Sequence, residues 1–372
     1  MILPPILLTS LLVASSDSPV KIVTEIKSLE VMQTKLRPGG HIETFWKNIG
    51  YTYFPPKYEK LQDRKYDGRW PIFLSKEELV TRDHDSIRGK EVLRFYTTDG
   101  HLFKTLTIPK EYFEPEFYSS EWIIFYQTAV IYDGREFKKL PPIPGAVASS
   151  ITGFSREGNF LAAWTDMKPI GGNQNRIASR FAIYKDGKWT SPPVPAGYLH
   201  AYPRGMTDTG IPMILLSNQE VGNLDGYLLR GFETTPEGGL SMLQGKSRFY
   251  VNGKYVGADP PILKNISKHY QNPEIYPCGI WGELALYEVG YVGDGWVDVP
   301  TRMIPYFLYK GKWFTLDQIL KTKSGKKYRD FGMPQVRGDH ILFREYTDAT
   351  RSGKKPGSAL LVKVNADVMK AK

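Results

Sequence analysis

Short runs of apolar or alternating residues, punctuated by Gly, Pro, Asp and Asn, recur along the chain. That spacing predicts β-strands joined by tight turns rather than long helices. The clearest runs are 160–164, 211–215, 275–280, 284–289, 303–309, 331–336, 341–346 and 358–364. Among them stands one short pattern: a Tyr, a turn containing Gly, a charged residue and an aromatic. Its copies are Tyr66-Asp67-Gly68-Arg69-Trp70, Tyr132-Asp133-Gly134-Arg135-Glu136-Phe137, Tyr184-Lys185-Asp186-Gly187-Lys188-Trp189, Tyr250-Val251-Asn252-Gly253-Lys254-Tyr255 and Tyr309-Lys310-Gly311-Lys312-Trp313. Asp-Gly and Asn-Gly supply the positive φ angles of a hairpin turn, and the flanking aromatics can pair across the strands. Each copy reads as a β-hairpin.

Two units align beyond the hairpin. Ile131-Tyr132 to Phe137, Pro141-Pro142-Ile143-Pro144, Gly153 and Gly158 recur as Ile183-Tyr184 to Trp189, Pro192-Pro193-Val194-Pro195, Gly205 and Gly210, at offsets of 51 or 52 residues. An apolar strand follows each closing glycine, so the unit is four strands, hairpin joined to hairpin. The Tyr spacings of 66, 52, 66 and 59 residues average about 61, and the chain holds about six such units. The last unit supplies three strands and leaves an open edge that needs a partner. Val20-Lys21-Ile22-Val23-Thr24-Glu25-Ile26 is the obvious donor. The expectation is an all-β, six-bladed β-propeller of four-stranded blades closed by an N-terminal strand, with seven blades if the irregular stretch 27–60 hides a further unit.

The segments Leu140-Pro141 to Pro144-Gly145, Ser149-Ser150-Ile151 and Ser155-Arg156-Glu157-Gly158 resemble the repeat of bacterial extracellular HAF-type proteins. Phe181-Ala182-Ile183-Tyr184-Lys185-Asp186-Gly187-Lys188-Trp189 resembles it too. The resemblance covers about 129–215, is fainter over 275–364 and is absent from 27–60 and 217–246. Glu157-Gly158 and Thr209-Gly210 stand where that repeat usually has Asn or Asp before the Gly. What the resemblance implies is a secreted propeller, since the group has no single activity.

Composition narrows the reading. Of 372 residues, 41% are hydrophobic and 24% charged, which excludes a disordered chain. A net charge of +10 suits an anionic partner, but no run of five or more Lys/Arg appears, so a nucleic-acid tract is not expected. Cys278 is the one cysteine, so no intrachain disulfide is available, and its apolar context reads as a buried thiol. Residues 2–13 are apolar and precede Ala14-Ser15-Ser16, the pattern of a signal peptide over 1–15 that leaves 16–372 as a single propeller domain. The stretch is too short to span a bilayer and no other segment is long enough, so no membrane span is expected and the protein is placed outside the cell or in the periplasm.

Candidate chemistry is sparse. No two of His41, His84, His101, His200, His269 and His340 lie within five residues, so no zinc spacing exists, and neither metal nor cofactor is expected. Gly153-Phe154-Ser155-Arg156-Glu157 is not a nucleophile elbow, because Glu157 replaces the second Gly; Ser155 reads as closing a turn. In a propeller, the connections leading into each inner strand gather around the channel mouth. The repeat places Tyr198-Leu199-His200-Ala201-Tyr202-Pro203-Arg204 on one connection and Tyr270 on an equivalent one. Tyr198, His200, Tyr202, Arg204 and Tyr270 are therefore the candidate ligand-binding residues: aromatic faces stack on sugars, and Arg grips a carboxylate with paired donors. For Tyr198 and Tyr202 the competing reading is packing between blades. The expected function is a monomeric, secreted binding or scaffold module for a glycan or other anionic extracellular polymer, without catalysis. One alternative is a carbohydrate-active enzyme, a glycoside hydrolase or lyase, drawing a carboxylate pair from Glu157, Asp166, Asp208 and Glu283. The other is a domain that recognises a protein partner through its flat face.

Overall fold

The hairpins form as their turn residues dictate. Asp186 and Gly187 (φ 51° and 79°), Asn252 and Gly253 (48° and 81°) and Lys310 and Gly311 (49° and 73°) all take the left-handed conformation that lets two twisted strands reverse. Tyr184 pairs with Trp189 and Tyr250 with Tyr255, each with ring centroids 5.1 Å apart, and Tyr132 pairs with Phe137 at 5.2 Å. The turn after Tyr309 is shorter by one residue before its aromatic, so Leu308 rather than Tyr309 faces Trp313.

The structure, a computed structural model, describes residues 18–29, 34–46, 49–53, 55–58, 60–62, 71–74, 78–85, 90–97, 100–112, 115–119, 122–125, 128–146, 148–155, 157–171, 174–218, 232–234, 240–242, 245–262, 273–291, 302–320, 328–347, 350 and 355–370. After β1 (Val20–Leu29), the strands form seven four-stranded antiparallel sheets. The first sheet is β2 (Lys35–Leu36), β3 (Ile42–Trp46), β4 (Ile49–Tyr53) and β5 (Lys60–Gln62); the second is β6 (Pro71–Leu74), β7 (Glu78–Asp85), β8 (Lys90–Thr97) and β9 (Leu102–Ile108). The third is β10 (Pro115–Ser119), β11 (Trp122–Phe125), β12 (Val130–Tyr132) and β13 (Phe137–Lys139); the fourth is β14 (Ala148–Phe154), β15 (Phe160–Gly171), β16 (Gln174–Lys185) and β17 (Lys188–Thr190). The fifth begins with β18 (His200–Met206) and β19 (Pro212–Ser217). A separate two-stranded hairpin, β20 (Phe232–Thr234) and β21 (Leu240–Met242), is inserted before its last strands, β22 (Lys246–Val251) and β23 (Lys254–Val256). The sixth is β24 (Glu274–Trp281), β25 (Leu284–Tyr291), β26 (Arg302–Tyr309) and β27 (Lys312–Thr315), followed by a short helix α1 (Leu316–Leu320). The seventh joins β28 (Phe331–Arg337), β29 (His340–Glu345) and β30 (Gly357–Val364) to β1, and α2 (Ala366–Lys370) follows it.

The open edge of the last unit is filled by the strand that the sequence nominates. β1 runs antiparallel to β30, with Val20 opposite Val364, Ile22 opposite Val362 and Ile26 opposite Ala359. Ser18 Oγ donates to the Ile319 carbonyl at 2.7 Å and Asn365 N–H donates to the Pro19 carbonyl at 2.9 Å, fixing the start of β1 against two later segments.

Among the described residues seven four-stranded sheets stand where the spacing predicts about six units, and the additional one is the first sheet, which begins inside the stretch 27–60 that lacks the Tyr-turn pattern. Equal spacings conceal unequal contents. The 66 residues from Tyr66 to Tyr132 include all of the second sheet and the first three strands of the third, whereas the 66 from Tyr184 to Tyr250 include one sheet start and the inserted hairpin. The second sheet turns its last hairpin through Thr97 to His101, where Tyr96 stands four residues before Gly100 rather than two or three, and so escapes the pattern. Tyr66 to Trp70 lie outside the described residues, between strands of different sheets.

Successive sheets are sealed by shared apolar clusters, and burying such surface is the main force holding the sheets together. Val80 and Phe95 of the second sheet meet Ile123 and Phe125 of the third, and Ile124 of the third meets Ile151 and Phe160 of the fourth. Leu161 and Phe181 of the fourth meet Ala201 and Ile214 of the fifth, and Phe249 of the fifth meets Ala285 and Tyr287 of the sixth. Phe307 of the sixth meets Phe343 and Leu360 of the seventh, while Leu342 and Leu361 of the seventh meet Ile42 and Tyr53 of the first. β30 is therefore buried on both faces, which explains its unbroken apolar run.

A repeated polar stitch accompanies this packing. Trp189 Nε1 donates to the Pro141 carbonyl at 2.6 Å, and Tyr255 OH donates to the Pro193 carbonyl at 3.0 Å, so the hairpin aromatic of one unit holds the Pro-Pro segment of the unit before it. Tyr255→Phe keeps the ring and loses the donor, whereas Trp189→Phe loses the donor together with part of the indole's packing. Tyr255→Phe is expected to cost about 1 kcal/mol in equilibrium urea unfolding, Trp189→Phe somewhat more, and the pair their sum, because separate sites add. Unchanged midpoints would show that the stitch contributes nothing.

The first strands of the fourth, fifth and sixth sheets carry the irregularity that matters for function. Ile151 and Gly153 of β14 pair with consecutive residues of β15, as do Pro203 and Gly205 of β18 with β19, and Pro277 and Gly279 of β24 with β25. Thr152, Arg204 and Cys278 are the extra residues of these three bulges, and a bulge re-aims its side chain out of the pleat. Glycine at the bulge has a packing reason at Gly153, where a Cβ would lie 2.8 Å from the Met206 nitrogen of the adjoining sheet.

Candidate functional site

Tyr202-Pro203-Arg204-Gly205-Met206 and Tyr276-Pro277-Cys278-Gly279-Ile280 are the same bulge written twice, on the first strands of the fifth and sixth sheets. This repetition places Tyr202 and Tyr276 beside one guanidinium. The Arg204 Cζ lies 5.7 Å from the centroid of each ring, within cation–π range of both. Burial pushes the Arg204 pKa down, with Tyr202 and Glu274 pulling it partly back, and burial pushes the Tyr202 hydroxyl up to about 12. Arg204 nevertheless keeps partial solvent access, while its Nε is buried and has no hydrogen-bond partner among the described residues. A part-exposed guanidinium beside two aromatic rings has the chemistry to grip a carboxylate or sulfate.

The other sequence candidates have different positions. The segment from His200 to Arg204, expected on a connection, is strand: β18 begins at His200 and pairs with β19, and His200 to Pro203 are all buried, which leaves no solvated loop there. His200 is fully buried, and its Nδ1 accepts the Ser179 N–H at 3.0 Å, tying the fifth sheet to the fourth. Tyr198 is half-buried against the cluster that joins those two sheets, the packing role that competed with ligand contact. Tyr270 lies outside the described residues. The structure thus brings Tyr202 and Arg204 together and adds Tyr276, which the repeated Tyr-Pro-x-Gly could have revealed.

Beside this site lies a buried acid. Glu288 on β25 is 5% exposed, accepts the Met333 N–H, and faces Arg344 of β29 and Cys278. Its partner amide sits at a residue with φ of 50°, and a Cβ at the adjoining Gly332 would come within 3.1 Å of the Glu288 Oε1, so the carboxyl is closely packed. Burial raises its pKa to about 8, opposed by the Met333 amide and by Arg344. Burial also holds the Cys278 thiol well above its usual pKa, which keeps it protonated and weakly nucleophilic.

Of the carboxylates that an enzyme would draw on, one lies on β15 and three on the turns after β14, β18 and β24. Asp166 pairs with Arg180 at 3.6 Å, Asp208 pairs with Arg337 at 3.2 Å, and Glu157 and Glu283 are exposed on turns. Ser155 Oγ accepts the Asn159 N–H at 3.2 Å and Thr207 Oγ1 accepts the Ile211 N–H at 2.9 Å, so both equivalent hydroxyls close turns. Among the described residues no group of three or more His, Cys, Asp or Glu is placed to hold a metal ion, and no helix is long and apolar enough to cross a membrane.

No protein-family model matches the sequence, and no curated protein is significantly similar to it. Among solved structures, the chain is similar to the β-propeller domain of the trilobed protease from Pyrococcus furiosus, with 9% identity and a TM-score of 0.45 over 95% of this chain and 98% of that one. It is also similar to the tricorn protease, with 12% identity and a TM-score of 0.43 over 86% of this chain and 33% of that one. A third similar structure is dipeptidyl peptidase 4 of Porphyromonas gingivalis, with 11% identity and a TM-score of 0.38 over 91% of this chain; the match spans 58% of that chain's length. At these identities the likeness concerns the fold alone.

Proposed function

We propose that this chain is a seven-bladed propeller, closed through β1, that binds an anionic extracellular polymer such as an acidic glycan and does no chemistry on it. Seven meandering sheets, stacked so that the seventh touches both the sixth and the first, support the ring. Residues 1–15 act as a signal peptide, and 16–372 work outside the cell or in the periplasm as a monomer, in keeping with the HAF-type resemblance. The observation that carries the binding function is Arg204, a part-exposed guanidinium whose Cζ lies 5.7 Å from the ring centroids of both Tyr202 and Tyr276. The net charge of +10 draws a polyanion toward it.

Calorimetry and affinity electrophoresis with hyaluronan, alginate and polygalacturonate test this, with reducing ends and unsaturated products assayed in the same samples. Arg204→Ala is expected to weaken binding by roughly 10- to 100-fold, the worth of one charge-assisted hydrogen-bonded contact. Arg204→Lys should fall between, since it keeps the charge and loses the paired donors. Release of reducing ends or unsaturated sugars would make the protein an enzyme. Binding indifferent to Arg204→Ala would remove the site.

A further inference from the structure

The face that the seventh sheet turns toward the first is apolar at Leu342 and Leu361 and becomes polar two residues further along each strand, at His340 and Lys363. His340 stands opposite Arg337 on one side and Lys363 on the other, and Lys363 stands opposite Lys21 of β1. Four basic residues thus form one row across the sheet. Asp208 is taken by Arg337 at 3.2 Å. Asp339 is shared: its Oδ1 accepts from His340 Nδ1 at 2.7 Å and its Oδ2 from Lys363 Nζ at 3.2 Å.

The other edge of the His340 ring meets the first sheet. A Cβ on Gly40, in the turn Pro38–Gly40 between β2 and β3, would lie 2.8 Å from both Cδ2 and Nε2 of His340 and 3.0 Å from the Tyr58 hydroxyl. The ring therefore rests on the Gly40 backbone, too close for a water to stand between. Tyr58 is buried, its hydroxyl has no hydrogen-bond partner among the described residues, and burial together with Asp339 pushes its pKa up to about 12, so it stays neutral. His41, on the same turn, has its Nε2 3.7 Å from the Cβ position of Gly39. Gln335 of β28 stitches this joint further along: its Oε1 accepts the Leu36 N–H at 2.7 Å and its Nε2 donates to the Thr34 carbonyl at 2.8 Å.

We infer that His340 is an acid-sensitive latch: neutral, it lets the first sheet close against the seventh, and on taking up a proton it loosens that joint while the other sheets hold. With the imidazole neutral, Lys363 and Asp339 cancel and the ring donates through Nδ1 alone. A proton on Nε2 leaves two cations on one carboxylate and sets like charges opposite each other along the row. It also puts a charged donor against the Gly40 backbone, where the Tyr58 hydroxyl has no charge to offset it. Burial accordingly pushes the His340 pKa below its ordinary 6.5, opposed by Asp339 and aided by Lys363. The unfolded chain then binds the proton ahead of the folded one, so the joint keeps its stability above pH 6.5 and loses it as pH falls.

Amide hydrogen exchange of the whole protein, read as protection relative to the intrinsic rate from about pH 7.5 to about pH 5, tests this. Segment 34–46 is expected to lose about tenfold in protection over that range, the worth of one poorly paired buried group, while 160–185 in the fourth sheet does not. In His340→Gln, whose amide still donates to Asp339 and cannot titrate, the protection of 34–46 should be flat. Lys363→Gln leaves all of Asp339 to a protonated ring and should shrink the loss, and Asp339→Asn should enlarge it. Protection of 34–46 that is constant with pH in the wild type, or an equal loss in His340→Gln, overturns the latch. A fall in every sheet at once does so too, since that is acid unfolding of the whole chain. If His340→Gln does not fold, Lys363→Gln decides with the ring in place, and an undiminished loss there overturns the latch.

Discussion

Glu288→Gln is expected to flatten the pH dependence of stability between about pH 5 and pH 8. Glu288 is buried against the Met333 amide, Arg344 and Cys278, and its folded-state pKa is raised to about 8 from an ordinary 4.5. The sign follows from which state holds the proton. Below pH 4.5 both folded and unfolded chains carry it, and burial of the neutral acid costs little. As pH rises toward 8, the unfolded chain releases the proton while the folded chain keeps it, so stability falls; above 8 both are ionised and the loss levels off. A shift of this size corresponds to roughly 5 kcal/mol at about 1.4 kcal/mol per pH unit. Glutamine keeps an acceptor for the Met333 amide and cannot ionise, so the variant should match the wild type near pH 5 and exceed it by several kcal/mol near pH 8. Urea midpoints across this range, taken as the difference between the two proteins, isolate Glu288 from every other titrating group. Parallel curves would show that the carboxyl is ionised at little cost, with Arg344 as its full counter-charge.

Removal of β1 is expected to abolish cooperative folding. Val20 is wholly buried against Leu360, Val362 and Val364, and Ile26 is buried with Leu342 and Leu361. Each such side chain contributes on the order of 2 kcal/mol, and Ile22 and Val23 add partial burial. The sum approaches the whole net stability of an ordinary domain, about 5–15 kcal/mol. Deletion of 18–29 also bares the edge of β30, a strand whose apolar run would then pair with other copies of itself. A chain starting at residue 30 should therefore unfold without a sharp transition and aggregate, and a peptide of residues 18–29 supplied in excess should restore the transition. Ile26→Asp, which buries a charge in the same place, should cost about 4 kcal/mol in the full chain. A cooperative transition in the truncated chain would show that the seventh sheet stands without its fourth strand.

The parts visible in the sequence are those fixed by neighbours along the chain. Asp186-Gly187 and Asn252-Gly253 specify their turns, and the aromatics on either side confirm the register, whatever lies beyond the hairpin. Ser155 and Thr207 close equivalent turns for the same local reason. The three-strand last unit implied a donor, and an alternating apolar segment near the N-terminus matched it. The count of sheets was less legible, because the first and second sheets turn without the Tyr pattern and equal spacings enclosed unequal contents.

The site was half legible. Arg204 and Tyr202 could be singled out as a pair of chemistries suited to an anionic sugar, but they were expected on a loop and lie on β18. Tyr276, Asp208 with Arg337, and Glu288 with Arg344 depend on which sheets stand next to each other and how far a bulge turns its side chain. The sequence by itself determined the hairpins, the four-stranded unit and the strand that completes the last sheet, since turn dihedrals and strand alternation are set by residues a few positions apart. Only the tertiary structure decided the number of sheets among the described residues, the meeting of Tyr276 with Arg204 and the pairing of Asp208 with Arg337, since those contacts join residues 72 to 129 positions apart through packing that no local pattern encodes.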